Sequence, residues 1–582
     1  MSDAPVDLNA AATAWLAEFG AALSAGDADK AAAQINEHGF FRDLLTFSWD
    51  FRTRAGTEQI KSYLANSLAD AKVSNVQLDL RPGLAPTPFD MIPGLAGVDA
   101  AFTFETATAH GRGTFRILSP DKVHWQAQVV TMLVTDWKGH EEVANEVGVY
   151  ANHTLAWEEV RAERVAETEK DPQVLVLGAG QTGLQVAARL RNMGLRTIVI
   201  EKDARVGDLW RNRYPTLTLH TPRSHHSLLY QPFPSNWPIF TPRDKVASWL
   251  EQYAEHQDLV VWTSSTITGQ PKYDTAAKRW TVTVDRAGKP LTLHPPHIVL
   301  ATGIFGDPTI PKIPGLESFK GEHYHSSDFH GGKKHAGQRV VVVGSGNSAA
   351  DICQDVAVRG AAKVTMVQRS PTVVVSDKVT AFRTAMAFPD GAPQDVIDLK
   401  NTGTPLALLR IIMVENQKWA NMLDKDMHDG LKKAGFMVTD GPDGAGHLLR
   451  VYEKARGFFI DVGCSALIAD GKVHVKPGQE ITKITEKSVV FADGEEIEAD
   501  AIVWATGYDG PKPKWSRIFG EEVVDRIGEV WGMNEEGEVR AGYKPTGQPG
   551  LYFCGGDFAV SRMYTKQLAL YIRAIEAGLL KQ

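Results

Sequence analysis

The sequence predicts an α/β protein in which two Rossmann-like dinucleotide-binding domains follow a smaller α+β domain. A pattern of apolar strand, glycine-rich turn and helix occurs twice, as VLVLGAGQTG from Val174 and as VVVGSGNSAAD from Val341. The first part of the chain has a different texture, with helical periodicity followed by a run of alternating strands. At 582 residues, the chain is also too long for one ordinary core.

The order of these patterns predicts the domain boundaries. Helical spacing in LNAAATAWLAEFGAALSA and strand alternation in FFRDLLTFSWDFRT and KVHWQAQVVTMLVTDW predict an α+β domain over residues 1–150. The charged stretch Trp157 to Pro172 predicts a helical linker over residues 151–172. The first glycine-turn domain is expected over residues 173–306 and 495–582, and the second, with a helical insert, over 307–494.

Composition excludes several classes of protein. A formal net charge of -8 over this length argues against a nucleic-acid partner and against a basic membrane-binding face. Cys353, Cys464 and Cys554 form neither a C-x-x-C pair nor a zinc-like spacing, so no metal site and no disulfide reductase is predicted. The start, MSDAPVDLNA, does not resemble a signal peptide, and no apolar run is long enough to span a membrane. A cytoplasmic protein is therefore expected.

The first glycine turn predicts a site for an adenine dinucleotide with a free ribose 2′-hydroxyl. Gly178, Gly180 and Gly183 would provide the tight turn, the close approach of a pyrophosphate, and close packing of helix on strand. Glu201 ends the next strand, about 20 residues on, where a carboxylate can accept from ribose hydroxyls. This combination suits FAD.

The second glycine turn predicts a site for NADP. Its second strand ends in Arg369 and Ser370 instead of an acid, and a guanidinium can bind a 2′-phosphate that a carboxylate would repel. Arg369 is the reason to expect NADPH over NADH; the alternative is a solvated or ion-paired arginine. The turn itself supplies the remaining cofactor-binding candidates Gly344, Ser345, Gly346, Asn347, Ser348 and Ala349.

Other segments support a chain that holds both dinucleotides at once. IVLATG (Ile298 to Gly303) and IVWATGY (Ile502 to Tyr508) are short apolar strands that end at Ala-Thr-Gly, as expected where a chain crosses between two nucleotide layers. Asp557, after the strand and glycines of LYFCGGDF, is a candidate partner for the ribityl or pyrophosphate part of a flavin. Holding both is useful if hydride passes from nicotinamide to flavin.

FKGEHYHSSDF, which lies between the two turns, resembles the F-x-G-x-x-x-H-x-x-x-[YF] fingerprint of the flavin-containing monooxygenases of class B. Phe319, Gly321, His325 and Phe329 match it. The segment from Gly457 to Gly510 is similar to the YUCCA-like branch, whose members oxidatively decarboxylate aromatic 2-oxo acids. The first domain resembles a SnoaL or NTF2-like cone. The resemblance implies that His325 supports cofactor geometry between the domains and does not act on substrate.

The resemblance also implies the reaction. NADPH would reduce FAD, O₂ would add to give an FAD C4a-hydroperoxide, and one oxygen would pass to a small organic substrate by N- or S-oxygenation or by oxidative decarboxylation of a 2-oxo acid. His220, in LTLHTPRS, falls where many members carry an asparagine beside the flavin, and it is the catalytic candidate; the alternative is a packed histidine. Trp210 is expected to pack near the isoalloxazine, although core packing would also explain it.

Several alternatives remain open at this stage. On the same cofactors, the chain could be a Baeyer–Villiger monooxygenase or an NADPH oxidase, although GDLWRNRYPTLTLH departs from the Baeyer–Villiger pattern. In another class, it could be a flavin- and NADP-binding sensor with the cone as a partner module. His38, Asp43, Trp49 and Asp50 in the cone are weak catalytic candidates, against packing, oligomerisation or substrate delivery. The expected partners are O₂, a small-molecule substrate that the sequence does not name, and a second copy of the chain in a homodimer.

Overall fold

A computed structural model of the chain describes residues 7–90, 94–143 and 145–581. Residues 1–6 lie outside this part. They make up most of MSDAPVDLNA, for which no signal peptide was predicted. Within it, no helix combines the length and the apolar character that crossing a membrane requires. The described residues also contain no group of three or more His, Cys, Asp or Glu side chains suited to hold a metal ion.

The N-terminal domain packs helices against one sheet, as the sequence predicts. Helix α1 begins where the Asp7 carboxylate accepts a hydrogen bond from the Ala10 N–H (3.0 Å), and it ends at Gly26 in the left-handed region. The sheet order is β2-β1-β7-β6-β5-β3, with β4 beside β5. The elements are α1 (Leu8–Ala25), α2 (Ala28–Ala33), β1 (Ile35–Leu44), β2 (Phe51–Ala55), α3 (Thr57–Ala65), α4 (Leu68–Ala71), β3 (Ser74–Leu78), β4 (Thr87–Pro88), β5 (Ala96–Glu105), β6 (Ala109–Ser119) and β7 (Gln126–Trp137).

The first Rossmann-like unit follows a solvent-exposed connecting helix. Its first strands are fully buried, as expected for a parallel sheet covered on both faces. The elements are α5 (Trp157–Lys170), β8 (Val174–Leu177), α6 (Gln181–Asn192), β9 (Thr197–Ile200), α7 (Asp208–Arg211), α8 (Arg243–His256), β10 (Val260–Trp262), β11 (Ser265–Asp274), β12 (Arg279–Arg286), β13 (Lys289–Leu293) and β14 (His297–Leu300).

The second Rossmann-like unit repeats this layout and carries the helical insert between β17 and β20. In each unit, an antiparallel meander (β11-β12-β13 or β21-β22-β23) precedes the strand that ends in Ala-Thr-Gly. The elements are β15 (Glu322–His325), β16 (Arg339–Val343), α9 (Asn347–Val358), β17 (Lys363–Gln368), β18 (Val373–Ser376), α10 (Asp377–Ala387), α11 (Gln394–Thr402), α12 (Leu406–Leu423), α13 (Lys425–Lys433), α14 (Gly446–Glu453), β19 (Phe458–Asp461), α15 (Cys464–Ala469), β20 (Val473–Pro477), β21 (Ile481–Ile484), β22 (Ser488–Phe491), β23 (Glu496–Glu498) and β24 (Ala501–Trp504).

The chain then returns to the first unit through α16 (Lys512–Phe519), α17 (Glu521–Ile527), β25 (Leu551–Phe553) and α18 (Phe558–Glu576). The two parallel sheets have the orders β10-β9-β8-β14-β25 and β15-β24-β16-β17-β20. Short 3-10 turns lie at Ala151–His153, Leu316–Ser318, Ser326–Asp328, Gly332–His335 and Pro442–Gly444.

One expected boundary needs correction. The sequence assignment places residues from 495 onward in the first glycine-turn domain, but β24 pairs in parallel with β15 and β16 of the second sheet. β24, with its Ala-Thr-Gly end, therefore belongs to the second sheet. The chain crosses back to the first unit only after this strand, which ends at Trp504. The other domain limits remain predictions.

Candidate functional site

The first glycine turn has the shape that a pyrophosphate requires. A Cβ on Gly183 would lie 1.9 Å from the Gly178 carbonyl oxygen, so only glycine allows α6 to pack this closely on the turn. A Cβ on Gly180 would meet only the Leu209 Cδ2, at 4.0 Å. Gly180 therefore faces open space at the N-terminus of α6, where backbone N–H groups can bind an anion.

Glu201 lies against this turn, at the end of β9. Its Oε2 accepts from the Ala179 N–H (2.8 Å) and its Oε1 accepts from the Asp203 N–H (3.0 Å). The carboxylate is thus fixed beside the glycines, as the prediction of a ribose contact requires. Glu201 and the three glycines of the turn do not line the open cavity, which the first turn meets at Gln181.

The second turn opens directly on the cavity. Gly344 has φ +129°, and a Cβ there would lie 2.3 Å from the Ala505 carbonyl oxygen, which brings β16 against the end of β24. The Ser345 hydroxyl is 2.8 Å from the Thr372 hydroxyl, and the Asn347 Oδ1 accepts from the Ile460 N–H (2.9 Å). All the predicted residues of this turn line the cavity, namely Gly344, Ser345, Gly346, Asn347, Ser348 and Ala349.

Arg369 and Ser370 lie on the rim of the same cavity, immediately after β17. Both are exposed. Arg369 forms no hydrogen bond or ion pair with any residue that the structure describes. Its guanidinium is therefore not ion-paired within the described residues, and it is accessible both to solvent and to a phosphate.

A cavity of about 2540 Å³ extends from the second turn to Gln181, the first residue of α6 in the first turn. Trp210 and Asp557 line it on the side of the first unit, and the insert closes another side. Asp557 caps α18, where its Oδ1 accepts from the Val560 N–H (2.8 Å). Trp210 packs on Phe558, with the ring centroids 6.1 Å apart. Both residues therefore lie at the cavity, and their contact with a flavin stays a prediction.

His225 is a cavity residue that the sequence analysis missed. Its Nε2 lies 3.1 Å from the Asp557 Oδ2. Burial acts to raise the pKa of Asp557, but the charge and hydrogen bond of His225 and the Val560 N–H outweigh it and lower that pKa to about 2. Because Asp557 stays ionised, the Nε2 of His225 carries its proton toward that carboxylate. The His-His pair in SHHS is the only sequence signal that could have drawn attention to it.

His220 is held by a carboxylate of α9. Its Nε2 lies 3.3 Å from the Asp351 Oδ2, which also accepts from the Tyr214 hydroxyl (2.5 Å). Burial acts to lower the pKa of His220, but the hydrogen bond and charge of Asp351 raise it above its usual value. His220 does not line the cavity, and it joins its loop to α9. The catalytic role of His220 stays a prediction.

His325 has contacts that fit the supporting role predicted for it. The Ser327 N–H donates to its Nδ1 (3.1 Å), so Nε2 carries the proton and donates to the Gly507 carbonyl (2.9 Å). Burial lowers the pKa of His325, which keeps the ring neutral as this pattern requires. His325 thereby fixes the Ala-Thr-Gly segment after β24 without reaching the cavity.

The insert supplies an apolar wall that contains two arginines. Phe382, Met413 and Trp419 line the cavity, as do Arg383 and Arg450. Arg383 donates only to neutral groups, the Asn416 carbonyl (3.3 Å) and the Gln417 Oε1 (3.4 Å). In both arginines Nε is buried without a partner, and no ion pair joins either one to a carboxylate among the described residues. Burial lowers the pKa of Arg383.

The weak catalytic candidates of the N-terminal domain form no comparable site. Asp43 is fully buried and accepts from the Thr46 N–H (2.8 Å) and from the Tyr63 hydroxyl (2.6 Å), among others. Burial raises its pKa to about 6. His38 lies on the surface, paired with Glu37, and Asp50 pairs with Lys544. These contacts are structural.

Two dinucleotide turns that open on one cavity define a flavin- and nicotinamide-dependent oxidoreductase. A sequence model of the flavin-binding monooxygenase-like family matches residues 171–516. An indole-3-pyruvate monooxygenase, YUCCA8, of Oryza sativa subsp. indica is 30% identical over 396 residues, covering 66% of this chain and 85% of that protein. A probable indole-3-pyruvate monooxygenase, YUCCA4, of Arabidopsis thaliana is 30% identical over 352 residues, covering 59% and 77%.

Among solved structures, a flavin-containing monooxygenase from Stenotrophomonas maltophilia aligns with 21% identity and a TM-score of 0.47, over 70% of this chain and 100% of that chain. The OTEMO complex with FAD and NADP aligns with 18% identity and a TM-score of 0.49, over 70% and 86%. The chain belongs to the flavin-binding monooxygenase-like family. Membership confirms the predicted class, a flavoprotein monooxygenase with FAD and NADP as cofactors.

Proposed function

We propose that this chain uses NADPH and O₂ to oxygenate a small organic acid, with an aromatic 2-oxo acid as the favoured substrate class. The observation that carries the proposal is the shared cavity, because both glycine turns reach it and the insert closes it with an apolar wall. When bound, the flavin accepts a hydride from the nicotinamide and activates O₂ for transfer of one oxygen atom.

The first turn would hold FAD. Gly178, Gly180 and Gly183 leave the backbone N–H groups of α6 open to the pyrophosphate, and Glu201 would accept from the ribose. Asp557 and Trp210 would contact the part of the flavin that reaches the cavity. The fit is supported by the open space at Gly180, since a side chain there would occupy the place of the ligand.

The second turn would hold NADP. Gly344, Gly346 and Ala349 bring the N-terminus of α9 to the cavity, with Ser345, Asn347 and Ser348 as polar neighbours. Arg369 and Ser370 would bind the 2′-phosphate. His325 would act at a distance, by fixing the Gly507 carbonyl between the two units.

Arg383 and Arg450 favour an acid over a neutral substrate or an amine. A half-buried guanidinium without a carboxylate partner is stabilised by an anion, and an amine would be repelled. The apolar side chains beside them, including Met413 and Trp419, would pack against the body of the substrate and exclude water. The matched relatives named as indole-3-pyruvate monooxygenases support the same class of substrate.

His225 lines the cavity and is therefore the histidine that could contact a bound flavin or substrate. Its Nε2 is committed to the ionised Asp557, so its ring is fixed in orientation at the cavity wall. We assign to His225 the site role that the sequence analysis gave to His220.

The function is tested with the FAD-loaded protein, by following NADPH oxidation, H₂O₂ release and product formation with three substrates of similar size. These are indole-3-pyruvate, a neutral aryl methyl sulfide and an aryl ketone. The proposal expects NADPH oxidation that is coupled to loss of CO₂ from the acid. H₂O₂ equal to the NADPH consumed with every substrate would make the protein an oxidase. An ester from the ketone would make it a Baeyer–Villiger enzyme, and no turnover at all would favour a sensor.

The homodimer and the cytoplasmic location remain proposals from the sequence. Size-exclusion chromatography with light scattering on the FAD-loaded protein tests the first, and a mass of one chain at micromolar concentration would contradict it.

A further inference from the structure

The N-terminal domain reaches the cavity wall through one junction in the insert. Helix α12 lines the cavity with Leu409, Ile412, Met413, Asn416 and Trp419. It begins directly after a short connection from α11, Gly403 to Pro405. Because a helix moves as a rigid rod, the position of this connection sets where the cavity-lining side chains stand.

Two side chains of the N-terminal sheet bind the backbone of this junction. Arg42 donates from Nη1 to the Thr402 carbonyl (2.6 Å), and the Thr131 hydroxyl donates to the Gly403 carbonyl (2.8 Å). Both side chains are buried. These carbonyls lie at the C-terminus of α11, where a helix leaves its last carbonyls without partners of its own.

Close packing holds the junction in the same place. A Cβ on Gly403 would lie 2.2 Å from the Thr114 Oγ1 of β6, although the φ of Gly403, −65°, would suit any residue. Leu408, the third residue of α12, packs on Phe40 and Val129 of the same sheet. Contact with the N-terminal sheet, and not backbone conformation, therefore excludes a side chain at residue 403.

Arg42 also binds a second segment beside the cavity. Its Nε and Nη2 each donate to the Glu538 carboxylate at 2.7 Å, and both side chains of this pair are almost fully buried. Nη2 lies 3.1 Å from the hydroxyl of Tyr564, a residue that lines the cavity. One side chain of the N-terminal domain thus joins the start of α12 to α18.

We propose that the N-terminal domain is a structural part of the substrate site, in which Arg42 and Thr131 are positioning residues for α12. The domain would then set the shape of the substrate wall instead of serving as a separate binding module. This inference rests on the proposed function for the identity of the substrate, but its effect on α12 does not depend on catalysis.

The test compares Thr131→Val with Thr135→Val in the full FAD-loaded chain. Both threonines lie on β7 and both donate to a carbonyl, but the partner of Thr135 is His110 of the same domain (3.1 Å). The readouts are amide hydrogen exchange over residues 406–423 and the KM for indole-3-pyruvate. Loss of one buried hydrogen bond predicts exchange and KM about fivefold higher in Thr131→Val. Thr135→Val should leave both at the wild-type value.

A second pair of variants tests the packing contact. Gly403→Ala should raise the same two quantities, and adding Thr114→Ala should restore them, since the second change removes the atom that the new Cβ would meet. Equal exchange in Thr131→Val and Thr135→Val, or faster exchange with an unchanged KM, would overturn the inference. If the wild-type protein does not turn over the acid, the proposed function fails, and the exchange comparison still decides whether this domain fixes α12.

Discussion

Replacing Arg369 by alanine should weaken binding of NADPH without affecting NADH or the fold. Arg369 is exposed and has no partner among the described residues, so its loss should change the free energy of unfolding by less than about 0.5 kcal/mol. One charged contact to a phosphate at the rim of an open cavity contributes about 1 to 3 kcal/mol. The KM for NADPH should therefore rise about 5- to 150-fold.

The assay is steady-state oxidation of NADPH and of NADH by the FAD-loaded protein, with Arg359→Ala as the matched control. Arg359 is also a solvent-accessible arginine of the second unit, but it pairs with Asp355 and lies outside the cavity. NADH lacks the 2′-phosphate, so its KM should not change. Added salt should reduce the difference between the KM values for NADPH and NADH. An equal rise in both KM values would refute the assignment of Arg369 to the 2′-phosphate.

Three other predictions concern separate parts of the molecule. Gly180→Ala should keep the wild-type melting temperature yet lose FAD affinity, because the new Cβ has room in the protein but occupies the space of the ligand. Gly183→Ala should lower both the melting temperature and the FAD affinity. Full flavin content in either variant would contradict the FAD site. Arg383→Gln should raise the KM for indole-3-pyruvate about tenfold and leave that of a neutral sulfide unchanged, and a parallel change in both would count against an acid substrate. Asp43 has a raised folded-state pKa of about 6, so the native state binds its proton more tightly. The free energy of unfolding should therefore fall by about 2 kcal/mol as pH rises from 4 to 7. Urea unfolding across this pH range should show the fall in unfolding free energy in the wild type and not in Asp43→Asn. Equal dependence of the unfolding free energy on pH in the two proteins would contradict the prediction.

The sequence predicts those parts of the fold that are written in local patterns. Buried strands such as β8 and β16, each followed by a glycine turn and a helix, depend on neighbouring residues alone, and both turns are where they are expected. The position of Arg369 also follows from a local pattern, because a residue at the end of a strand next to a glycine turn lies at the rim of the cavity that this turn lines.

The remaining features depend on contacts between residues far apart in sequence. His220 and His225 share an irregular loop, and only the packing of that loop on α9 and α18 shows that His225 and not His220 faces the cavity. Arg383 and Arg450 stand in different helices of the insert, and no local pattern indicates that both are left without carboxylate partners. The pair Arg42 and Glu538 joins the first domain to the last part of the chain, which a single sequence does not reveal.

Anaerobic mixing of the FAD-loaded protein with NADPH tests most directly whether the two dinucleotides meet in one cavity. Hydride transfer between the two cofactors removes the absorbance of the oxidised flavin. Without oxygen, no later reaction of the reduced flavin with O₂ contributes to the signal. We expect complete loss of that absorbance with one equivalent of NADPH, at a rate that saturates with NADPH concentration and is slower with NADH. A protein that binds both cofactors but keeps the oxidised flavin in excess NADPH would contradict it.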